Sequence, residues 1–131
     1  MEFIHPPTDK QLEEIQAALD AEPGQGITDI YAAVPLYHVI VREYDAVIAV
    51  ASLDPRIGEL FKLYVVRRHQ GKGIGTALVS YVMKLLRERS YNELLVEMTE
   101  QSYPFWEKFA KSHMVTSTDY NKISIAISKA E

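Results

Sequence analysis

The spacing of hydrophobic positions changes several times along the chain, and each change marks an element. Leu12, Ile15 and Leu19 recur at intervals of three and four, which places them on one face of a helix. Ahead of them Thr8-Asp9-Lys10-Gln11 has the S/T-x-x-E/Q spacing of a capping box, in which two side chains satisfy main-chain N–H groups that a first turn leaves free. A helix over about 9–21 is predicted, ended by Pro23-Gly24-Gln25-Gly26. Residues 27–33 fit either a short helix or a loop. From Tyr37 the texture turns to β-branched and aromatic residues over 37–42, 46–53 and 59–66, with Glu43-Tyr44-Asp45 and Asp54-Pro55-Arg56-Ile57-Gly58 between them. These predict a meander of three antiparallel strands. Residues 46–51 are apolar throughout, whereas a sheet wetted on one face would alternate. That strand is therefore central and covered on both sides.

Beyond a glycine cluster, Ile74, Leu78, Val82, Leu85 and Leu86 predict a helix to about Arg89, and Leu94, Val96 and Met98 alternate with Glu93, Leu95 and Glu97 as a strand. A strand, a helix and a strand in succession favour a right-handed crossover. Pro104 to His113 reads as a helix carrying Phe105, Trp106 and Phe109, and Ile123, Ile125 and Ile127 as a last strand. The expected fold is α/β in the α+β sense: a mixed, mostly antiparallel sheet with helices on both faces.

Composition narrows the function. The 131 residues, 47% hydrophobic and 24% charged, suit one ordinary domain over 1–131, without repeat or linker. A net charge of −4 offers no global cationic field for a nucleic-acid backbone, so no nucleic-acid partner is expected. The N-terminal residues lack the basic lead and apolar run of a signal peptide. The longest apolar run, Ala46 to Leu53, falls far short of the ~20 residues that span a bilayer. A cytoplasmic protein without a membrane partner is the expectation. The absence of cysteine excludes thiol nucleophiles and Cys-based metal sites, and the four histidines show no H-x-x-x-H spacing, so no metal is expected.

The chemistry concentrates in Arg67-Arg68-His69-Gln70-Gly71-Lys72-Gly73-Ile74-Gly75-Thr76, between a predicted strand and a predicted helix. Glycines allow a sharp turn and a close approach, and the free N–H groups and positive dipole end of the following helix converge on an anion. Arg67, Arg68 and Lys72 add local positive charge. His69 beside the turn reads as a phosphate contact or, more simply, as a surface histidine. A Walker loop, G-x-x-x-x-G-K-[ST], is absent, and G-x-G-x-x-G fails because Thr76 or Leu78 stands where the last glycine belongs. ATP and dinucleotide readings fall away.

What remains, Q/R-x-x-G-x-G/A carried by Gln70, Gly73 and Gly75, resembles the coenzyme A pyrophosphate loop of the GCN5-related N-acetyltransferase (GNAT) family. The order of elements resembles that family from about residue 1 to 127. The resemblance implies an N-acetyltransferase that moves an acetyl group from acetyl-CoA to a primary amine of a small molecule or protein, by direct attack in a ternary complex. It implies that Arg68, Gln70, Gly71, Lys72, Gly73, Ile74, Gly75 and Thr76 hold the diphosphate, that Leu63, Tyr64 and Val65 line the pantetheine arm, and that Trp106 also lies against the cofactor. Many members carry a Phe-Tyr pair whose tyrosine reprotonates the leaving thiolate. Here Phe105 is followed by Trp106, whose indole N–H is no useful acid, so Tyr103 is the substitute candidate. Glu59 is the candidate base, with Glu97 and Glu100 behind it. Loss of the tyrosine also suits an alternative, a CoA-binding regulatory or interaction module without turnover. Tyr31, Tyr37 and Tyr44 fit an acceptor pocket or the core. Apolar strands near the C-terminus leave monomer and homodimer both open.

Overall fold

The computed structural model describes residues 1–127. Its strands are β1 (Glu2–Ile4), β2 (Tyr37–Glu43), β3 (Ala46–Asp54), β4 (Glu59–Val65), β5 (Glu93–Glu97), β6 (Val115–Asp119) and β7 (Lys122–Ala126). Its helices are α1 (Asp9–Asp20), α2 (Ile74–Glu88) and α3 (Tyr103–Ala110). All seven strands join one sheet in the order β1-β2-β3-β4-β5-β7-β6. Every neighbouring pair is antiparallel except β4 and β5, which run parallel with α2 between them in sequence.

The capping box forms as expected: the Gln11 N–H donates to Thr8 Oγ1 at 3.1 Å and the Thr8 N–H to Gln11 Oε1 at 2.8 Å. Residues 27–33 are irregular and not helical. Gln16 on α1 takes over their main-chain hydrogen bonds, accepting from the Ile30 N–H and donating to the Thr28 carbonyl, both at 3.0 Å. Ile30 is thereby buried completely without a helix to satisfy its backbone.

β3 divides two apolar cores, which accounts for its unbroken hydrophobic run. On one side Leu12, Ile15 and Leu19 of α1 meet Ile40, Val50 and Tyr64. On the other, Leu78, Val82 and Leu86 of α2 and Trp106 and Phe109 of α3 meet Val39, Ala51 and Leu53. Ile123, Ile125 and Ile127 are also buried in this second core. The alternating isoleucines of the last strand are thus packed within the chain.

Two strands escape the hydrophobic pattern. β1 is only three residues long, and β6 is the edge strand Val-Thr-Ser-Thr-Asp, exposed from Thr116 onward. Both are defined by hydrogen bonds to a neighbour and not by burial. Two bulges interrupt the central ladder. Register moves from Val41↔Ala49 to Arg42↔Val47, leaving Ile48 as an extra residue on β3, and from Ser52↔Lys62 to Leu53↔Leu60, leaving Phe61 extra on β4.

Leu78 is fully buried between α2 and the sheet. Replacing it by alanine removes packing on the helix that carries the glycine turn. Urea denaturation of Leu78→Ala is expected to show a loss of about 2–5 kcal/mol.

Candidate active site

The site begins where two parallel strands part. β4 and β5 are in register only at Glu59↔Leu95 and Leu60↔Val96. Past the Phe61 bulge β4 continues to pair with β3 alone, through Lys62, Leu63, Tyr64 and Val65. The Val66 N–H donates to the Ile48 carbonyl on β3 at 2.9 Å. Because main-chain groups alternate between the two edges of a strand, Leu63 and Val65 turn theirs the other way, into the gap. The Val65 carbonyl is indeed taken by a side chain, Gln70 Nε2, at 2.8 Å. The gap is a cleft of about 570 Å³, lined on the β4 side by Leu63 and Val65, on the β5 side by Val96 and Glu97, and at α3 by Phe105 and Trp106.

At one end of the cleft stands the head of α2. Gly73 is its N-cap with φ +81°, and no side chain caps the helix. Among the described residues no carbonyl accepts the N–H groups of Gly73 to Thr76. Four donors at a helix start, without an internal partner, make an anion site. Gly71 also has positive φ, at +78°, and a Cβ on either glycine would meet nothing within 4 Å. Backbone conformation, not crowding, is what these two positions demand of glycine. Gly75 differs: it is helical, and a Cβ there would come 3.0 Å from Phe105 Cε1. Its role is to let α2 and α3 approach.

Polar side chains clasp this loop from the segment after α1. Glu22 Oε1 accepts from the Tyr64 hydroxyl at 2.7 Å and from the Arg67 N–H at 2.9 Å, while Arg67 Nη2 donates to the Pro23 carbonyl at 3.1 Å. Burial acts to raise the Glu22 pKa, but those two hydrogen bonds and the charges of Arg67 and Arg68 carry it below the ordinary range. Gln70 Nε2 donates to Gln25 Oε1 at 3.0 Å in addition to Val65. The Gln70 side chain is therefore engaged in shaping the turn. Arg67 is spent on the clasp, whereas Arg68 and Lys72 are exposed and have no carboxylate within ion-pair distance among the described residues. His69 is not a surface histidine. Its side chain is 17% exposed, lies 3.9 Å from a Glu43 oxygen, and its Nδ1 has no hydrogen-bond partner.

The remaining sequence candidates fall at different distances from the cleft. Tyr64 is on β4 and among the residues lining the cleft, with its ring buried against the α1 core. Trp106 is 4% exposed and packs edge-on to Phe105 and Phe109. Glu59 sits at the fork, opposite Asp54 on β3 and Leu95 on β5. Burial, then the Glu97 and Asp54 carboxylates, raises its pKa against the pull of Lys122. Asp54 itself is held low, chiefly by the hydrogen bonds of the Arg56 guanidinium. Tyr103 is half-buried at the first turn of α3, beside the cleft-lining Ser102 but not itself in the lining. Tyr31 is 42% and Tyr44 93% exposed, so neither is core; Tyr37 lies under the Arg89 guanidinium. Sequence reasoning missed Gln25, Lys62 and Thr99, which also line the cleft. The Gly24-Gln25-Gly26 string marked Gln25 as loop, but nothing local joins it to Gln70.

A seven-stranded sheet opened between two parallel strands, with a glycine turn heading the helix that leaves one of them, defines a family. The profile of the Acetyltransferase (GNAT) family matches residues 8–110. This chain belongs to that family of acetyltransferases, which uses acyl-CoA. Among solved structures, Tetrahymena GCN5 superposes with a TM-score of 0.71 at 12% identity, over 100% of this chain and 99% of that one. The ribosomal-protein-S18-alanine N-acetyltransferase from Escherichia coli gives 0.68 at 16%, covering 99% and 96%. An aminoglycoside 6'-N-acetyltransferase complexed with coenzyme A gives 0.68 at 16%, covering 100% and 99%. At such identities these likenesses speak to the fold alone. No curated protein matches the sequence. Among the described residues no group of histidines and carboxylates is placed to hold a metal ion, and no helix is long and apolar enough to cross a membrane.

The two kinds of glycine are separable by experiment. Alanine normally favours a helix over glycine by about 1 kcal/mol. Gly75→Ala is nevertheless expected to destabilise, because its Cβ meets Phe105, and to become stabilising in a Phe105→Ala background. Gly73→Ala should cost about 1–2 kcal/mol in both backgrounds. A urea double-mutant cycle reads the coupling.

Proposed function

We propose that the cleft binds acetyl-CoA and that the chain transfers its acetyl group to a primary amine by direct attack in a ternary complex. The observation that carries this reading is the juxtaposition of two unsatisfied main-chain sites: the open edge of β4 at Leu63 and Val65, and the uncapped head of α2. The helix head suits a diphosphate, with Arg68 and Lys72 adding charge at its rim. The strand edge suits the amide-bearing pantetheine arm, which would pair with it as a short added strand. Acetyl-CoA supplies the activated thioester.

The chain's own residues then act at two protons and one oxygen. The Leu63 N–H, turned into the cleft, polarises the thioester carbonyl and stabilises the oxyanion that forms on attack. Glu59 at the fork takes the proton of the incoming ammonium, through water where the acceptor stands back. Its raised pKa strengthens it as a base, since a base with a pKa nearer the working pH transfers a proton more effectively. Tyr103 returns a proton to the sulfur.

Calorimetry should detect acetyl-CoA binding to the unmodified chain. Gly73→Glu places a carboxylate at the helix head and is expected to weaken it by about tenfold or more, or about 1.4 kcal/mol. Gly73→Ala, which carries the same backbone strain without the charge, should weaken it less. Equal affinity in all three would remove the diphosphate from this site.

Thiol release from acetyl-CoA across a panel of amines tests the base. Glu59 must be ionised to accept a proton, so the rate should rise with pH through a pKa above the ordinary carboxylate range. Glu59→Gln should lower kcat by about 10²–10⁴ and abolish that limb; an unchanged profile assigns the base elsewhere, Glu97 first. In the same assay a loss of about tenfold or more in Tyr103→Phe supports the phenol as acid, and a smaller loss gives that step to solvent.

A further inference from the structure

Among the described residues one lysine is set apart from the others. Lys10, Lys72, Lys84, Lys108, Lys111 and Lys122 are exposed, whereas Lys62 is half-buried in the wall of the cleft. It follows the Phe61 bulge and precedes Leu63, whose N–H opens into the cleft. No carboxylate among the described residues lies within ion-pair distance of its ammonium. Directly across the ladder stands Ser52, and across from Ser52 stands His38. Residues opposite one another on antiparallel strands project from the same face, with Cβ atoms about 5 Å apart. His38, Ser52 and Lys62 therefore form one polar row over β2, β3 and β4. Ser52 is completely buried, and its hydroxyl is 2.7 Å from His38 Nδ1.

We propose that Lys62 is an acetyl acceptor within the chain itself, modified by the acetyl-CoA held beside it. The inference rests on the acetyl-CoA reading of the cleft. The Lys62 ammonium gives one proton to the Ser52–His38 pair. Burial and the proximity of His5 lower the His38 pKa, so its imidazole does not keep the proton but passes it on to solvent. Lys62 Nζ attacks the thioester carbonyl carbon, a C–N bond forms and the C–S bond breaks. The second proton leaves the nitrogen with the thiolate, giving free coenzyme A thiol and an N-acetyl-lysine. The product carries no charge and adds bulk to the wall where an external amine would enter. Self-acetylation is thus a brake on the enzyme when acetyl-CoA is abundant and acceptor scarce.

The experiment incubates the full chain with acetyl-CoA and no amine, follows intact mass, and maps the modified peptide. One acetyl group per chain is expected, on Lys62, at a rate independent of protein concentration. Lys62→Arg should take up none at that position, and His38→Asn should slow uptake by about a hundredfold, which a merely packed histidine would not do. Acetyl-CoA binding by calorimetry with Lys62 unmodified, or modified no faster than the exposed lysines, overturns this inference and leaves the cofactor reading intact. A rate that rises with protein concentration overturns transfer within one chain. Absence of binding removes both readings together.

Discussion

The structure turns on a break in main-chain pairing. A buried strand needs partners for every N–H and C=O, yet β4 leaves β5 after two register pairs. The chain meets that demand unevenly. One freed carbonyl, at Val65, is taken by Gln70, and the neighbouring groups open into a cleft that a ligand can reach. The Phe61 bulge lies at the point of parting and changes which residues face the gap. Were the two strands zipped to their ends, the main-chain groups offered by Leu63 and Val65 would be spent on the ladder.

An open ladder at the centre of a sheet has to be supported from outside it. Support comes from the two cores on either side of β3 and from a clasp of four side chains, Glu22, Gln25, Arg67 and Gln70. The clasp joins the segment after α1 to the end of β4 and leaves the head of α2 uncapped. Hydrogen bonds that would satisfy the helix from within are thus directed to the loop beside it. The same economy appears at the fork, where Arg56 holds Asp54 ionised and the neighbouring Glu59 bears the repulsion, so that two carboxylates on adjacent strands are driven to different affinities for a proton.

Much of this was legible in the residues. The capping box before Leu12, the doubly apolar β3 and the glycine turn after Val66 each depend on local spacing, and each stands where the pattern placed it. β1 and β6 were not legible, because a three-residue strand and an exposed polar edge have no hydrophobic signature. Residues 27–33 stayed ambiguous for a related reason: their backbone is satisfied by Gln16, which no pattern within the segment reveals. Gly73 and Gly75 look equivalent in the turn, yet one answers to a dihedral angle and the other to a phenyl ring on α3. Tyr64 lines the cleft as its place on β4 suggested, and what the pattern did not show is that its ring packs toward α1.

Sequence by itself determined the class of fold, the position of the glycine turn at the head of α2 and the family, since helix periodicity, strand composition and glycine spacing act over a few residues and are written in order along the chain. Tertiary structure alone decided where β4 and β5 part, which glycine is crowded, what His69 and Gln70 touch, and that Lys62 shares a row with Ser52 and His38. Those are relations between residues up to 45 positions apart, as for Gln70 and Gln25. They exist only once burial and hydrogen bonding across the sheet have chosen a register.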